Sequence, residues 1–186
     1  MDYILLGLLA LREQTIYELS KNMKHTVALF YSDSLGAIQA ALKKLGDKQW
    51  IACRETAENG KLKKIYSIEA EGRDHLMAWL RSPIPTDKLK DLAVARLFFL
   101  GLLPEEERIE VLRGYVGALT EMHRNLVSLE IQSSFMEVPE EKKDIFRYQM
   151  LSLRYGVDHY AFSAQWYKEL LQDTVQGGEH GHSGRT

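Results

Sequence analysis

Residues 30–51 read FYSDSLGAIQAALKKLGDKQWI, and this stretch decides the fold of the first half of the chain. Its apolar residues recur at spacings of three and four, which predicts one stripe on a helix: Leu35, Ile38, Leu42 and Leu45. Ser34 directly precedes the stripe and is a favoured N-cap residue. The other faces are small, polar and basic, with no carboxylate before Asp47. Such a helix can enter the major groove of DNA, although an ordinary amphipathic surface helix shows the same pattern.

Two predicted strands follow this helix directly. Residues 50–56 (WIACRET) and 62–68 (LKKIYSI) are rich in strand-forming side chains, and Asn59-Gly60 between them is a strong hairpin turn. Three lysines, Lys61, Lys63 and Lys64, follow the turn. A helix followed by a hairpin with a basic tip describes a winged helix-turn-helix, in which the helix reads the major groove and the wing reaches phosphates.

These residues resemble the PadR family of transcriptional regulators. The matching positions are Phe30, Tyr31, Ser34, Gly36, Ile38, Leu42 and Leu45, then Gly60, Lys61, Lys64, Tyr66, Ile68, Gly72, Arg73, Trp79 and Leu80. Upstream, Leu6 to Leu9 and Tyr17 to Leu19 resemble the first two helices of the family, and Thr15 with Glu18 has capping-box spacing. The chain departs from the family pattern in three places: Gln39 replaces tyrosine, Gln49-Trp50 replaces Gly-Leu, and Glu69 replaces threonine.

The resemblance implies a homodimeric repressor that binds a palindromic operator in double-stranded DNA and is released by a small aromatic effector. The residues assigned to DNA are Ser34, Gly36, Gln39, Lys43 and Lys44 on the helix, and Lys61, Lys63, Lys64 and Tyr66 on the wing. The Gln39 amide can pair with adenine N6 and N7, whereas the tyrosine of the family cannot. The alternative function is a dimeric winged-helix adaptor that binds protein and not DNA, which Gln39 and the modest charge favour.

Composition sets further limits on the class of protein. The 186 residues carry a formal net charge of −2, with 12 basic and 10 acidic side chains in residues 1–82 and 12 and 16 in the rest. The single cysteine, Cys53, excludes a disulfide framework and is expected to be a small core residue of the wing. With no signal peptide pattern and no apolar segment long enough to span a bilayer, the protein is expected to be cytoplasmic.

Prolines mark the organisation of the second half. Pro83 and Pro85 end the first domain, so the sequence predicts a DNA-binding domain at 1–82, a helical dimerisation and effector domain at 86–173, and a disordered glycine-rich tail at 174–186. Thr86 is the expected N-cap of the first helix of that domain. Pro104 and Pro139, each followed by glutamates, indicate two further helix starts.

The final helix has two apolar faces. One is a heptad seam formed by Phe146, Met150, Leu153, Val157, Tyr160, Ala164, Tyr167 and Leu171, and the other comprises Tyr148, Leu151, Tyr155, Phe162, Trp166 and Leu170. Because two such faces exceed what one short domain covers, we expect a homodimer and assign the seam to the partner chain. An intramolecular bundle is the alternative. The longer branch of the PadR family ends in a helical dimerisation domain of this layout.

No pattern in the chain indicates catalysis. Phosphate-binding glycine loops, zinc motifs and nucleophile elbows are missing from the sequence. We interpret His123 and His159 as ordinary helix side chains and not as metal ligands. The prediction is therefore a mainly α protein with a small β-hairpin, without enzymatic activity, cofactor or metal, whose N-terminal winged helix-turn-helix precedes a C-terminal helical dimerisation domain.

Overall fold

A computed structural model of the chain describes residues 1–23, 34–58, 61–84 and 91–181. The chain divides into two compact units, Met1–Asp87 and Lys88–Thr186. The sequence predicted that the first domain ends at residue 82 and that the second begins at residue 86. The first unit contains α1 (Asp2–Leu11), β1 (Gln14–Thr15), α2 (Ile16–Asn22), α3 (Leu35–Asp47), β2 (Ile51–Glu58), β3 (Lys61–Ile68) and α4 (Ala70–Arg81). This confirms the predicted mainly α fold with a small sheet.

Helix α3 buries most of the predicted stripe. Ile38, Leu42 and Leu45 are at most 2% exposed and pack with leucines of α1 and α2 in one core. Ser34 is the N-cap, as predicted, because its Oγ accepts a hydrogen bond from the amide of Ala37 at 3.2 Å. Leu35 is the exception, since it remains 49% exposed in the first turn of the helix, and Ala41 is buried in its place.

The wing is a three-stranded antiparallel sheet in the order β1-β3-β2. Strands β2 and β3 pair along their whole length, from Ile51 opposite Ile68 to Glu58 opposite Lys61, as the hairpin prediction required. The predicted turn at Asn59-Gly60 lies outside the described residues. The two-residue strand β1 was not predicted, because so short an element carries no periodic signal. Its Gln14 is buried, with Nε2 donating to the carbonyl of Leu8 at 2.8 Å.

The chain leaves α3 through a Schellman turn. The amide of Gln49 donates to the carbonyl of Gly46 at 2.9 Å, and the amide of Trp50 donates to that of Leu45 at 3.0 Å. This arrangement puts Gln49 at φ 59°, in the left-handed region where glycine is favoured. The departure from the Gly-Leu pattern therefore falls on a residue with a strained backbone.

The start of α4 lies directly against the entrance to the wing. A Cβ atom placed on Gly72 would lie 2.1 Å from the carbonyl oxygen of Trp50, so only glycine fits. The same oxygen accepts a hydrogen bond from the amide of Glu69 at 3.0 Å, which holds the two segments together. Thr15 and Glu18 form the predicted capping box at the start of α2.

The second unit is a helical hairpin with a short helix packed beside it. It contains α5 (Leu92–Phe99), α6 (Glu105–Ser134), α7 (Lys143–Gly181) and single 3-10 turns at Leu100–Leu102 and Glu140–Lys142. Tyr115, near the start of α6, contacts Tyr167 in the second half of α7. Glu130, near the end of α6, pairs with Arg154 in the first half of α7. Helices α6 and α7 are therefore antiparallel.

The seam of α7 is covered by its own chain, which corrects its assignment to a partner. Leu153, Val157 and Tyr167 are 5–7% exposed in a single chain. Tyr160, Ala164 and Leu171 pack against the cluster of Leu112, Leu119 and Tyr167, and Phe146 and Met150 are partly buried. The sequence shows two apolar faces on α7, but its periodicity does not say which of them α6 covers.

The ends of the second unit also differ from the predictions. Helix α7 continues to Gly181, so residues 174–181 of the expected disordered tail are helical, while 182–186 lie outside the described residues. No proline interrupts this segment, and each added residue extends an existing helix without a new nucleus. The predicted cap Thr86 lies outside the described residues. Asp91 caps α5, accepting from the amide of Ala93 at 2.7 Å.

Candidate nucleic-acid interface

The outward face of α3 carries the side chains predicted to meet DNA. Ser34, Gly36, Gln39 and Lys43 are all exposed, while the opposite face is buried in the core. The first turn is free of bulky polar groups, because Gly36 has no side chain and the Ser34 hydroxyl is engaged in the cap. This surface can approach a groove closely at its N-terminal end.

The same face of α3 forms one wall of a groove with the wing. The groove has a volume of about 410 Å³ and is lined by Gln39, Leu42, Lys43, Gly46, Asp47, Ile51, Cys53, Lys64 and Tyr66. Four predicted DNA-binding residues thus lie together, two from α3 and two from β3. The sequence alone did not show that the helix and the wing share this groove.

Lys44 points away from that groove. Its Nζ lies 2.8 Å from an Oδ atom of Asp2, at the start of α1, and this hydrogen-bonded partner raises the pKa of the lysine. The ion pair joins α1 to α3 on the side of the unit that Lys43 does not face. The structure therefore gives Lys44 an ion pair within the protein and places it outside the groove that Lys43 lines.

The wing lysines differ in their surroundings. Lys64 is exposed and lies 3.4 Å from Glu55, its cross-strand neighbour in β2. Lys63 is also exposed, and the side chain of Lys61 lies outside the described part of the chain. Arg54, which the sequence analysis did not single out, is a further exposed cation on β2 and pairs with Glu13 at 2.5 Å. Exposed pairs of this kind are weak and can exchange for a phosphate.

Tyr66 and Cys53 face each other across β2 and β3. Burial and a hydrogen bond with the Cys53 thiol raise the pKa of Tyr66, so its hydroxyl is protonated at neutral pH and can donate. Cys53 is exposed, which corrects the expectation of a core residue. Side chains alternate between the two faces of a strand, so Ile51 and Cys53 lie on the same face of β2. Both line the groove, but Ile51 is buried whereas Cys53 is exposed.

The described residues contain neither a cluster of metal ligands nor a membrane-spanning helix. No group of three His, Cys, Asp or Glu side chains there could hold a metal ion. His159 stacks on Tyr155 with ring centres 6.2 Å apart, and His123 is partly buried on α6. None of the described helices combines the length and apolar character needed to cross a bilayer.

Two family matches account for most of the chain. Residues 5–78 match the transcriptional regulator PadR-like family. Residues 89–173 match the virulence activator alpha C-terminal family. The first match contains α3 and the wing, and the second contains α5, α6 and most of α7.

Individual relatives agree with these matches. The negative transcriptional regulator PadR of Bacillus subtilis (strain 168) is 31% identical over 116 residues, which span 61% of this chain and 63% of that protein. The alignment therefore covers less than two thirds of the relative.

Solved structures share the fold. Bacillus subtilis PadR in complex with operator DNA has a TM-score of 0.79 at 23% identity, covering 92% of this chain and 96% of that chain. PadR of the same organism in complex with p-coumaric acid has a TM-score of 0.73 at 21% identity, covering 94% and 98%. Residues 5–78 therefore belong to the PadR-like family of transcriptional regulators and residues 89–173 to the virulence activator alpha C-terminal family, a combination that fits the longer branch of PadR-like proteins.

Proposed function

We propose that the protein is a sequence-specific DNA-binding repressor that acts as a homodimer on a palindromic operator. The observation that carries this proposal is the groove in which Gln39 and Lys43 of α3 meet Lys64 and Tyr66 of the wing. Hydrogen-bonding and cationic side chains converge there from the two elements that a winged helix presents to DNA. The relative solved with operator DNA supports the same role.

The outer face of α7 is the surface that we propose for the dimer. Tyr148, Leu151, Tyr155, Phe162 and Trp166 recur along one face of the helix and are 41–73% exposed in a single chain. An apolar row of this length is unusual on a monomer, and aromatic residues dominate the centres of protein interfaces. We propose that this dimer binds two half-sites whose centres lie about 34–36 Å apart, which is one turn of DNA.

Sedimentation tests the dimer. Changing both Tyr155 and Phe162 to glutamate should give monomers, because each charge would be desolvated at the interface. Gln149→Glu adds a charge to an exposed position of α7 outside this face and should leave the dimer intact. A wild-type chain that sediments as a monomer at micromolar concentration would contradict the proposal.

We further propose that a small aromatic molecule releases the protein from DNA. The support is that PadR of Bacillus subtilis has been solved with p-coumaric acid. The experiment is a titration of p-coumaric acid and related phenolic acids into the protein–DNA complex. Release of DNA at constant ionic strength is the expected result, and retention with every phenolic acid tested would remove effector control from the proposal.

Fluorescence anisotropy with labelled duplexes tests DNA binding itself. DNA from the region upstream of the protein's own gene should bind more tightly than an unrelated duplex at the same salt concentration. The Lys63→Ala, Lys64→Ala double variant should weaken both, and should flatten the slope of log affinity against log salt by about 0.9 per lost phosphate contact. Binding of a protein partner without any DNA binding would instead favour the adaptor function.

Gln39 is proposed to read a base. Its side chain is exposed on α3, in the groove-facing row that also carries Lys43. A bidentate pair with adenine would make Gln39→Ala cost about 1–3 kcal/mol at one base position of each half-site. Lys43→Ala should weaken all sequences about equally. If Gln39→Ala selects the same consensus as the wild type from random DNA, the base-reading role is wrong.

The remaining proposals concern activity and compartment. The family is one of transcriptional regulators, and we propose that the protein has no catalytic activity and acts in the cytoplasm. A DNA-binding role requires access to the chromosome, which fits the absence of a membrane-spanning helix among the described residues. Fractionation of cells that express the tagged full chain tests the compartment.

A further inference from the structure

We infer that Lys43 and Lys64 bind one and the same phosphate of the DNA backbone, held in the groove between α3 and the wing. This inference rests on the proposed DNA binding and specifies how α3 and the wing contact the DNA backbone together. Lys43 comes from the helix and Lys64 from β3, and both line the same groove. The two lysines therefore approach a ligand in that groove from opposite walls.

The two lysines of the groove can hold a single phosphodiester between them. The residues lining the groove include the two lysines and the carboxylate of Asp47, and the carboxylate of Glu55 lies 3.4 Å from the ammonium of Lys64. One phosphodiester carries one negative charge and can accept charge-assisted hydrogen bonds from both ammonium groups. One phosphate that displaces Glu55 from Lys64 would face both ammonium groups, while a second phosphate would be repelled by the Asp47 carboxylate.

Asp47 is the carboxylate among the residues that line the groove. It is the last residue of α3, where a carboxylate faces the negative end of the helix dipole. Among the described residues none of the ion pairs includes it. Its carboxylate therefore gains little from the fold, while it limits how much anionic charge the groove accepts.

The other polar groups around the groove fit the same ligand. Glu55 holds the Lys64 ammonium at 3.4 Å in the free protein, and this exposed pair is weak enough to exchange for phosphate. Tyr66 keeps its hydroxyl proton at neutral pH, so it is a donor and not an anion. Lys44 is bound to Asp2 and does not line the groove, which leaves Lys43 as the α3 lysine for this phosphate.

Salt dependence distinguishes one shared phosphate from two separate ones. The Lys43→Ala, Lys64→Ala double variant should lower the slope of log affinity against log salt by about 0.9 in total. The affinity loss of the double variant should also differ from the product of the two single losses, since neighbours that share a ligand couple. A slope that falls by about 1.8, with multiplicative losses, would overturn the inference.

A matched control lies one residue away on the same strand. Lys63 points to the opposite face of β3 from Lys64 and does not line the groove. The Lys43→Ala, Lys63→Ala pair should therefore give multiplicative losses. All variants change exposed side chains, and circular dichroism checks that each retains its fold. Coupling in the Lys63 pair equal to that in the Lys64 pair would contradict a specific role for the groove.

Two results distinguish failure of the shared-phosphate inference from failure of the proposed DNA binding. If the wild type binds no DNA at any salt concentration, the proposed function fails and the inference fails with it. If it binds DNA but the Lys43 and Lys64 losses multiply, only the inference fails.

Discussion

Replacing Gln49 with glycine should stabilise the protein, because this residue holds a left-handed backbone at φ 59° in the turn between α3 and the wing. The left-handed conformation costs a residue with a Cβ about 1–2 kcal/mol. Glycine avoids that cost but loses roughly 0.5–1 kcal/mol through its larger unfolded-state entropy. The expected net gain is about 0.5–1 kcal/mol, since both hydrogen bonds of the Schellman turn are backbone bonds and remain.

Urea unfolding of the full chain, followed by far-ultraviolet circular dichroism, measures this gain. With a slope of about 1–3 kcal/mol per molar urea, the midpoint should rise by roughly 0.2–1 M. Gln49→Ala is the matched control, because it removes the same side-chain atoms beyond Cβ yet keeps the strained backbone. If the glycine variant is no more stable than the alanine variant, the left-handed backbone at Gln49 does not destabilise the protein by the expected amount.

Two further predictions concern the stability of the first unit. Gly72→Ala should destabilise by about 1–3 kcal/mol or prevent folding, because the new Cβ would meet the Trp50 carbonyl at 2.1 Å. Gly7→Ala, which meets nothing within 4 Å on α1, should not destabilise, and equal losses in both would refute the close-approach argument. Hydrogen bonds from Thr15 lower the pKa of Glu18 below its usual 4.5, so its stabilising contribution is present above 4.5 and is lost as pH falls through the lowered value. The stability difference between wild type and Glu18→Gln should therefore shrink at pH below 4.5, and a difference independent of pH would contradict this.

The local elements of the fold could be predicted from the sequence where short-range chemistry determines them. The spacing of Ile38, Leu42 and Leu45 and the cap at Ser34 gave α3, because neighbouring residues alone specify a helix start and an apolar face. The hairpin could be predicted from strand-forming residues on both sides of an Asn-Gly pair, a sequence that favours tight turns. The capping box of Thr15 and Glu18 is likewise a relation between residues three apart.

Features that depend on distant residues could not be predicted. Lys44 looked like Lys43 in sequence, yet its ammonium lies on Asp2, far along the chain. Cys53 was placed in a core because the gap between α3 and the wing has no signature in either segment. The seam and the outer face of α7 have the same periodicity, so only the packing against α6 shows which remains exposed.

Selection of binding sites from random duplex DNA by the wild-type protein tests the central claim most directly. The proposed dimeric repressor should enrich an inverted repeat whose half-sites are centred about 34–36 Å apart, one helical turn. Each half-site should change its preference at one base position when Gln39 is replaced by alanine. Enrichment of no sequence, or of a single half-site without its inverted partner, would contradict sequence-specific binding by a twofold-symmetric dimer.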